Sequence, residues 1–260
     1  MSSYVEYRDA TDTGVSPSPI IWGDCPVREF MEKGNGIHIF EDFVDGGIQT
    51  AAAGRYGIFL DAGCTFSYGA EENGVAVLLQ DGDAADDSNS LFGAPAFQIA
   101  RGKGDLWFEA RVKFSSAAAD RHGWFVGLSD ATATTIAPLT AASALSTANS
   151  VGFHKPEENS TAVDTTYRCN DVAAVEVNSN LEIFAASTYM KLGMKYSSKD
   201  NILRFYVNGA EQAGTKEIPV AAGTDFPNDA AMKFYFCHLM EATAATSMQI
   251  DWVKVAQRKT

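Results

Sequence analysis

Apolar and polar residues alternate along most of the chain beyond residue 36. The stretch DLWFEARVKF, residues 105 to 114, places Leu106, Phe108, Ala110, Val112 and Phe114 on one side of a strand and Trp107 among charged residues on the other. Comparable short stretches follow, including HGWFVGLSD, SVGFHK, YMKLGMKYS, NILRFYV, MKFYFCHLM and SMQIDWVKV. Because the period is two and few helical patterns intervene, the sequence predicts an all-β antiparallel sandwich or barrel.

Turn residues support this prediction. Asn208-Gly209 supplies the positive backbone dihedrals of a tight hairpin, and SSKDN is a polar connection of hairpin length before ILRFYV. In the last strand, Met248, Ile250 and Trp252 alternate with polar residues, but Val253 and Val255 then fall on the opposite side. Either a bulge shifts the register there or both faces are covered. Residues 129 to 150, rich in Ala, Thr and Ser, are expected to form a long surface loop.

Residues 1 to 36 differ from the rest of the chain in composition and in the spacing of their apolar residues. Prolines at 17, 19 and 26 and widely spaced apolar residues predict an extended N-terminal arm, because Ser-Pro-Ser-Pro disfavours helix. CPVREFMEKGNG has room for one short helix that ends at its glycines. We therefore divide the chain into an arm, residues 1–36, and a sandwich domain, residues 37–260.

Charge narrows the choice of partners. Asp and Glu number 33 against 20 Lys and Arg, a formal net charge of -13, so the average surface repels phosphate backbones and anionic headgroups. Nucleic acid and membranes are not expected partners. The amino terminus lacks the pattern of a secretory signal, and Cys25, Cys64, Cys169 and Cys237 form no CxxC pair. We expect reduced, buried thiols in a chain made in a cytosol.

No catalytic motif stands out. The sequence contains no G-x-S-x-G, HExxH, P-loop or kinase signature, so no enzyme activity and no cofactor are predicted. Glu41 and Asp42 are adjacent, and a strand would point them to opposite faces, which favours a turn over a glycosidase pair. Asp81, Asp83, Asp86 and Asp87 are calcium candidates, but their spacing fails the helix-loop-helix pattern, so we assign no metal site.

The histidines and tryptophans are further candidates for a binding site. His38, His122, His154 and His238 are scattered, and only the fold can bring them together. Trp107 and Trp124 would form a platform for stacking on sugar if they shared one outer face; packing in the core or at an interface is the commoner fate of Trp.

Several strands together carry a resemblance. DLWFEARVKFSS, GWFVGLSD, VGFHK, YMKLGMKYSSKDNILRFYVNG and MQIDWVKVAQ resemble, in this order, the concanavalin A-like or laminin-G-like jelly-roll sandwiches. The match covers residues 105 to 256 well and 37 to 104 loosely. The glucanase branch has Glu-x-Asp-x-x-Glu on one strand, which is absent here, and the calcium and manganese site of legume lectins has no counterpart.

The acidic, Ala-, Gly- and Thr-rich composition, the lack of an active-site motif and the extended arm before the sandwich are similar to the jelly-roll structural proteins of tailed bacteriophages. That similarity implies a virion protein, made in the host cytoplasm, that decorates the head as a cement protein and binds the major capsid protein. It also implies a homotrimer around a symmetry axis. Interface residues would come from the arm and the outer face of one strand, namely Tyr4, Tyr7, Ile20, Ile21, Trp22 and Trp107.

Two other functions stay open. A carbohydrate-binding, lectin-like module, such as a phage adhesin, would use loops at 131–150 and 154–170 or exposed aromatics such as Trp107, Trp124 and Tyr167. A hydrolase of the glucanase type would need two carboxylates about 5 to 10 Å apart in a cleft.

Overall fold

A computed structural model gives the fold. It describes residues 14–30, 32, 34–44, 56–69, 74–82, 87–118, 122–132, 138–140, 143–156, 162–170, 172–223, 225–240 and 245–259. These residues form two one-turn helices and two antiparallel β-sheets. The predicted antiparallel β-sandwich is therefore confirmed.

The strands divide between two sheets that we call sheet A and sheet B. Sheet A has the order β13-β12-β11-β6-β15-β4-β3, and β1 pairs with β15 beyond the end of β4; sheet B has the order β10-β9-β8-β7-β14-β5-β2. In sheet A the bounds are β1 Gly36–Glu41, β3 Thr65–Gly69, β4 Val75–Leu79, β6 Leu106–Phe114, β11 Met190–Ser197, β12 Ile202–Val207, β13 Ala210–Glu217 and β15 Ser247–Arg258. In sheet B they are β2 Gly57–Leu60, β5 Ser88–Phe92, β7 His122–Ser129, β8 Ser150–Lys155, β9 Ala162–Arg168, β10 Val175–Ile183 and β14 Lys233–Met240.

The core lies between the two inner faces. The five alternating apolar residues of β6 all point into it, as the sequence predicted, and they meet residues such as Trp124, Phe153 and Phe236 from sheet B. Burial of one apolar face on each sheet is the main stabilisation of such a sandwich, at about 25 cal/mol per Å² of apolar surface.

A bulge in β15 answers the question about its register. Ile250 pairs with Val112, but the next pair joins Trp252 to Arg111, so Asp251 is the extra residue. After this bulge Val253 and Val255 point into the core. Trp252 consequently lies on the outer face of sheet A, and that face is covered as well.

The predicted hairpin is also confirmed. Asn208 and Gly209 have φ values of 51° and 79° between β12 and β13, and Val207 pairs with Ala210. A type I′ turn requires positive φ at both central residues, and Asn-Gly adopts it readily.

The described part of the predicted arm contains two short helices. α2, Val27–Phe30, is the helix expected in CPVREFMEKGNG. α1, Pro19–Trp22, was not expected: Ser16, Pro17 and Ser18 are not helical, but a helical turn begins at Pro19. Pro19 is the first residue of α1, where its fixed φ suits the helix and its missing N–H costs no hydrogen bond.

Candidate functional site

Residues 14–30, 32, 34 and 35, which we call the docked segment, lie over the outer face of sheet A. Ile21, Trp22, Cys25 and Phe30 form an apolar cluster there with Trp107, Tyr206 and Ala256. Trp107 is only 2% exposed, and its ring lies 6.1 Å from that of Phe30. The polar face of DLWFEARVKF therefore meets the chain's own N-terminal segment.

Glu109 is the polar centre of this contact. One carboxylate oxygen accepts hydrogen bonds from the Ser18 backbone N–H at 2.9 Å and from Trp22 Nε1 at 2.8 Å. Burial raises the pKa of Glu109, while these bonds and the charge of Lys191 act in the opposite direction. The carboxyl group thus links the docked segment to β6 from inside a covered site.

Lys254 adds a cation to the same contact. Its Nζ lies 4.2 Å from the centre of the Trp22 ring, within the range of a cation–π interaction. Burial lowers the pKa of Lys254 to about 8, against the opposing influence of Cys25 and Glu109. Trp22 is therefore held on one side by a carboxylate and over its face by a lysine.

Asp24 marks the place where the covered contact becomes open surface. Its carboxylate accepts a hydrogen bond from Trp107 Nε1 at 3.0 Å and binds Lys195 Nζ at 2.7 Å. Trp107 is buried, whereas the Asp24 side chain is mostly exposed. The docked segment thus presents an oriented carboxylate at its edge.

Beside Asp24 runs a groove of about 320 Å³ that we call the arm groove. Ile20 and Asp24 of the docked segment form one wall, and the other is built by side chains of sheet A, chiefly Asp105, Lys195, Arg204 and Glu211. Ile20, one of the predicted interface residues, is 57% exposed here. The groove therefore combines three carboxylates, two cations and one apolar side chain.

Hydrogen bonds fix the polar groups of the arm groove. Glu211 accepts from Tyr206 Oη at 3.3 Å and lies 3.4 Å from Arg204 Nε, and Arg204 also binds Asp200 at 2.7 Å. Burial first, and then the charge of Glu211, raise the pKa of Tyr206 to about 12. Tyr206 consequently stays protonated and donates near neutral pH. In the same wall, Asp105 accepts from the Ser198 N–H and hydroxyl at 2.7 Å each.

The outer face of sheet B is covered by the long loop between β7 and β8. Leu139 and Leu145 of this loop pack on Phe125 and Tyr235. Asp130 closes the base of the loop by accepting from the Asn149 backbone and side-chain nitrogens at 2.9 and 2.7 Å. The described residues of this connection, 130–132, 138–140 and 143–149, contain no helix, and their apolar side chains cover the sheet.

The aromatics proposed for sugar stacking lie elsewhere than expected. Trp107, Trp124 and Tyr167 are each at most 3% exposed, so the description of them as exposed platforms was wrong. Trp107 lies under the docked segment, whereas Trp124 packs in the central core against Phe114 with ring centroids 4.5 Å apart. They belong to different sheets. Much of the region 154–170 is also strand β9 and not loop.

The other predicted interface residues are placed as follows. Ile21 and Trp22 contact Trp107 inside the chain's own docked segment, and Ile20 faces the arm groove. Tyr4 and Tyr7 lie outside the described residues. The role of these six residues in binding a capsid or a second subunit stays a prediction.

A cluster that the sequence did not reveal lies in the interior. His122 of β7 and His238 of β14 are neighbours on adjacent strands, and their nitrogens Nδ1 and Nε2 are 3.0 Å apart. Thr246 and Gln80 complete the group through a 2.9 Å hydrogen bond. The only sequence signal was polar residues inside buried strands, and 116 residues separate the two histidines.

The candidate ligating and catalytic carboxylates give no metal centre in the described part of the chain. There, no group of three or more His, Cys, Asp or Glu residues is arranged to hold a metal ion. Of the calcium candidates, Asp83 and Asp86 fall outside the described residues. Glu41 and Asp42 accept from the backbone N–H groups of Phe43 and Val44, which agrees with a turn at the end of β1.

Among the described residues, no helix combines the length and the apolar character needed to cross a membrane.

Comparison with known proteins identifies the fold. No protein-family model and no curated protein matches the chain. Among solved structures, the endo-1,3-beta-glucanase from Streptomyces sioyaensis superposes with a TM-score of 0.56 at 14% identity, covering 88% of this chain and 99% of that one. The Emp47p carbohydrate recognition domain gives 0.56 at 11% identity, with the same coverage. A protein of unknown function from Shewanella oneidensis gives 0.58 at 15%, covering 86% and 87%.

The fold is the concanavalin A-like jelly roll. At these identities the similarity extends to the fold alone, which confirms the architecture that the strand sequences resembled.

Proposed function

We propose that this protein is a non-catalytic carbohydrate-binding protein whose saccharide binds in the arm groove. The groove itself carries the proposal, because it is an open site in which fixed carboxylates and cations surround an exposed apolar side chain. Sugar hydroxyls donate to carboxylates and accept from Lys and Arg, and the C–H face of a sugar ring packs on an apolar surface such as Ile20. A volume of about 320 Å³ suits a ligand of one or two sugar units.

The similar structures support the class of ligand. They include a glucanase and the carbohydrate recognition domain of Emp47p. The central parts of both outer faces are covered in this chain, one by the docked segment and one by the loop between β7 and β8. The arm groove is a polar cavity at the edge of the docked segment.

The carboxylates of the groove fit binding better than hydrolysis. A glycosidase needs a general acid whose pKa is raised by an apolar setting. In the arm groove, Asp24 binds Lys195 Nζ at 2.7 Å and Glu211 lies 3.4 Å from Arg204 Nε. Carboxylates with cationic partners are the opposite of an apolar setting, so they suit the binding of sugar hydroxyls.

The test is a glycan array followed by calorimetry on the saccharide retained best. Glu211→Gln preserves shape and removes the carboxylate, and we expect at least a tenfold weaker affinity, consistent with one lost charge-assisted hydrogen bond. Glu217→Gln is the matched control, since Glu217 lies on the same strand, pairs with Arg101 and does not line the groove. Equal affinities for wild type and Glu211→Gln, or no saccharide retained, would remove this function.

A second candidate is a bacteriophage head decoration protein that binds the major capsid protein. The net charge of -13 suits a protein that must avoid DNA, and Val15 and Phe40 present exposed apolar surface beside Trp252. Virion location and synthesis in a host cytoplasm would follow from it. Co-sedimentation with purified capsids tests it: a protein that pellets only with shells, and loses this when Phe40 is changed to Asp, would favour the structural role.

A further inference from the structure

Among the described residues, one edge of strand β1 has no partner strand. Its pairing with β15 continues to Asn35, whose carbonyl accepts from the Lys259 N–H at 3.0 Å. In an antiparallel ladder, bonded pairs alternate, so Ile37 and Ile39 also bond to β15. The N–H and C=O groups of His38 and Phe40 consequently point away from β15, and among the described strands β1 pairs with β15 alone.

This edge faces two neighbouring cavities that together we call the edge groove. One, of about 410 Å³, lies between His38–Phe40 and residues Gly93 and Ala94. The other, of about 310 Å³, lies between Ile37 and residues Ala96 and Gln98. The two cavities together flank residues 37 to 40 of β1, a length of about 13 Å for four residues. An exposed strand edge with an apolar flank is the setting for addition of a further strand.

The two ends of the edge groove differ in character. At the end near Ile37 the lining includes Lys103, Arg258 and Lys259, three cations in a chain of net charge -13. At the other end the lining is aromatic, with Phe40, Tyr56 and Phe234. An extended peptide with aromatic residues toward its amino end and acidic residues after them would match this edge in antiparallel orientation.

The chain's first 13 residues have this composition, and they lead into the docked segment near the Phe40 end of β1. The sequence MSSYVEYRDATDT carries Tyr4 and Tyr7, followed by Asp9 and Asp12. They join the docked segment just before Val15, whose carbonyl accepts from Trp252 Nε1 at 2.6 Å, and Trp252 packs against Phe40 with ring centroids 6.4 Å apart. Thirteen extended residues span at most about 45 Å, enough to reach a neighbouring molecule.

We propose that the edge groove binds the first 13 residues of a second copy of this chain, which add to β1 as an antiparallel strand. A second copy is favoured over the same chain by direction. The segment joins the docked segment at the Phe40 end of β1, so laid directly back along its own β1 it would run parallel. The strand pairs described in both sheets are antiparallel.

The experiment is the mass of the full-length protein by light scattering at micromolar concentration, wild type against His38→Pro. Proline removes the His38 N–H, one of the two N–H groups that point into the edge groove, and leaves the bonds of Ile37 and Ile39 to β15 in place. We expect an oligomer for wild type and a monomer for His38→Pro. His38→Ala is the control, because it removes the same side chain, keeps the N–H and should stay oligomeric.

A variant in the donated segment guards against a folding defect in β1. Tyr4→Asp together with Tyr7→Asp leaves every described residue unchanged and should also give a monomer. An excess of the synthetic peptide of residues 1–13 should dissociate the wild-type oligomer. A monomeric wild-type protein, or an oligomer that persists in both the proline and the tyrosine variants, would overturn the proposal. The result is independent of saccharide binding, since the arm groove and the edge groove have no lining residue in common.

Discussion

His122 Nδ1 lies 3.0 Å from His238 Nε2 in the interior of the sandwich, and the remaining contacts determine the tautomer of both rings. His122 Nε2 is 2.9 Å from the Ser116 carbonyl, which can only accept, so Nε2 carries the proton. His122 Nδ1 is then the acceptor, and His238 donates to it through Nε2. A proton added to His122 would place two N–H groups against each other, so this pair is built for two neutral rings.

This pair predicts a loss of stability in mild acid. Burial lowers the pKa of His122 to about 3 and that of His238 well below its usual value, with the charge of Lys155 acting in the same direction. The unfolded chain takes up these protons near pH 6.5, whereas the folded chain does not. The stabilisation is therefore complete above pH 6.5 and is lost as the pH falls toward 3. From pH 7.5 to 5.5 each histidine should cost about 1 kcal/mol.

Urea unfolding at several pH values measures this effect. Glu109 and Asp164 have raised pKa values and contribute the opposite sign, and His38 and His154, each lowered to about 4 by burial, add to it. The difference between wild type and His122→Asn isolates one ring. The variant should be less stable at pH 7.5 but lose less on acidification; parallel curves for the two proteins would disprove the assignment.

We expect Glu109 to hold the docked segment mainly through the two hydrogen bonds that its carboxylate oxygen accepts, and less through its charge. Glu109→Gln keeps an acceptor for Trp22 Nε1 and the Ser18 N–H, whereas Glu109→Ala leaves both donors without it. Each buried donor without a partner costs about 1 to 3 kcal/mol. We expect Glu109→Ala to be at least 1 kcal/mol less stable than Glu109→Gln, and limited proteolysis to cut the docked segment faster in the alanine variant. Equal unfolding energies and cleavage rates in the two variants would contradict this.

Ile20 and Ile21 provide a matched pair of neighbours in α1. Ile21 is fully buried in the contact with sheet A, whereas Ile20 is exposed in the arm groove. Ile21→Ala should therefore cost about 2 to 5 kcal/mol, within the range for buried truncations. Ile20→Ala should change stability by less than about 0.5 kcal/mol and weaken only saccharide binding. Thermal unfolding of both variants decides the matter, and a large loss in Ile20→Ala would show that the arm groove is closed in solution.

The sequence predicted the strands well because their alternation is local. The inner face of β6, the Asn208-Gly209 hairpin and the break in β15 can each be inferred from a few consecutive residues. Period two decides which side chains enter the core whatever the strand pairs with. The resemblance predicted the jelly-roll fold, but the order of the strands in each sheet was not predicted, since no local signal indicates which strands are neighbours.

The candidate site could not be predicted in the same way. Ile20 and Trp107 were both predicted to be interface residues. Only the fold shows that Ile20 is exposed, whereas Trp107 is buried beneath Asp24. Asp24, Lys195 and Glu211 come from distant parts of the chain, and nothing near them in sequence marks a groove. The position of the docked segment on its own sheet depends on Glu109, a charged residue that a pattern of alternation assigns to solvent.

The four cysteines should be unreactive in the folded protein. Cys25, Cys64, Cys169 and Cys237 are all buried free thiols. Burial is the first cause of a raised pKa in each, to about 12 for Cys25, Cys64 and Cys237. Since the thiolate is the reactive form, a disulfide reagent at pH 8 should label none of them within minutes and all four in denaturant.

Cys25 is the informative one, because it lies beneath the docked segment. In Trp22→Ala one thiol should become reactive and mass spectrometry should identify it as Cys25; labelling of Cys25 in the wild-type protein at the same rate would mean that the segment does not stay docked.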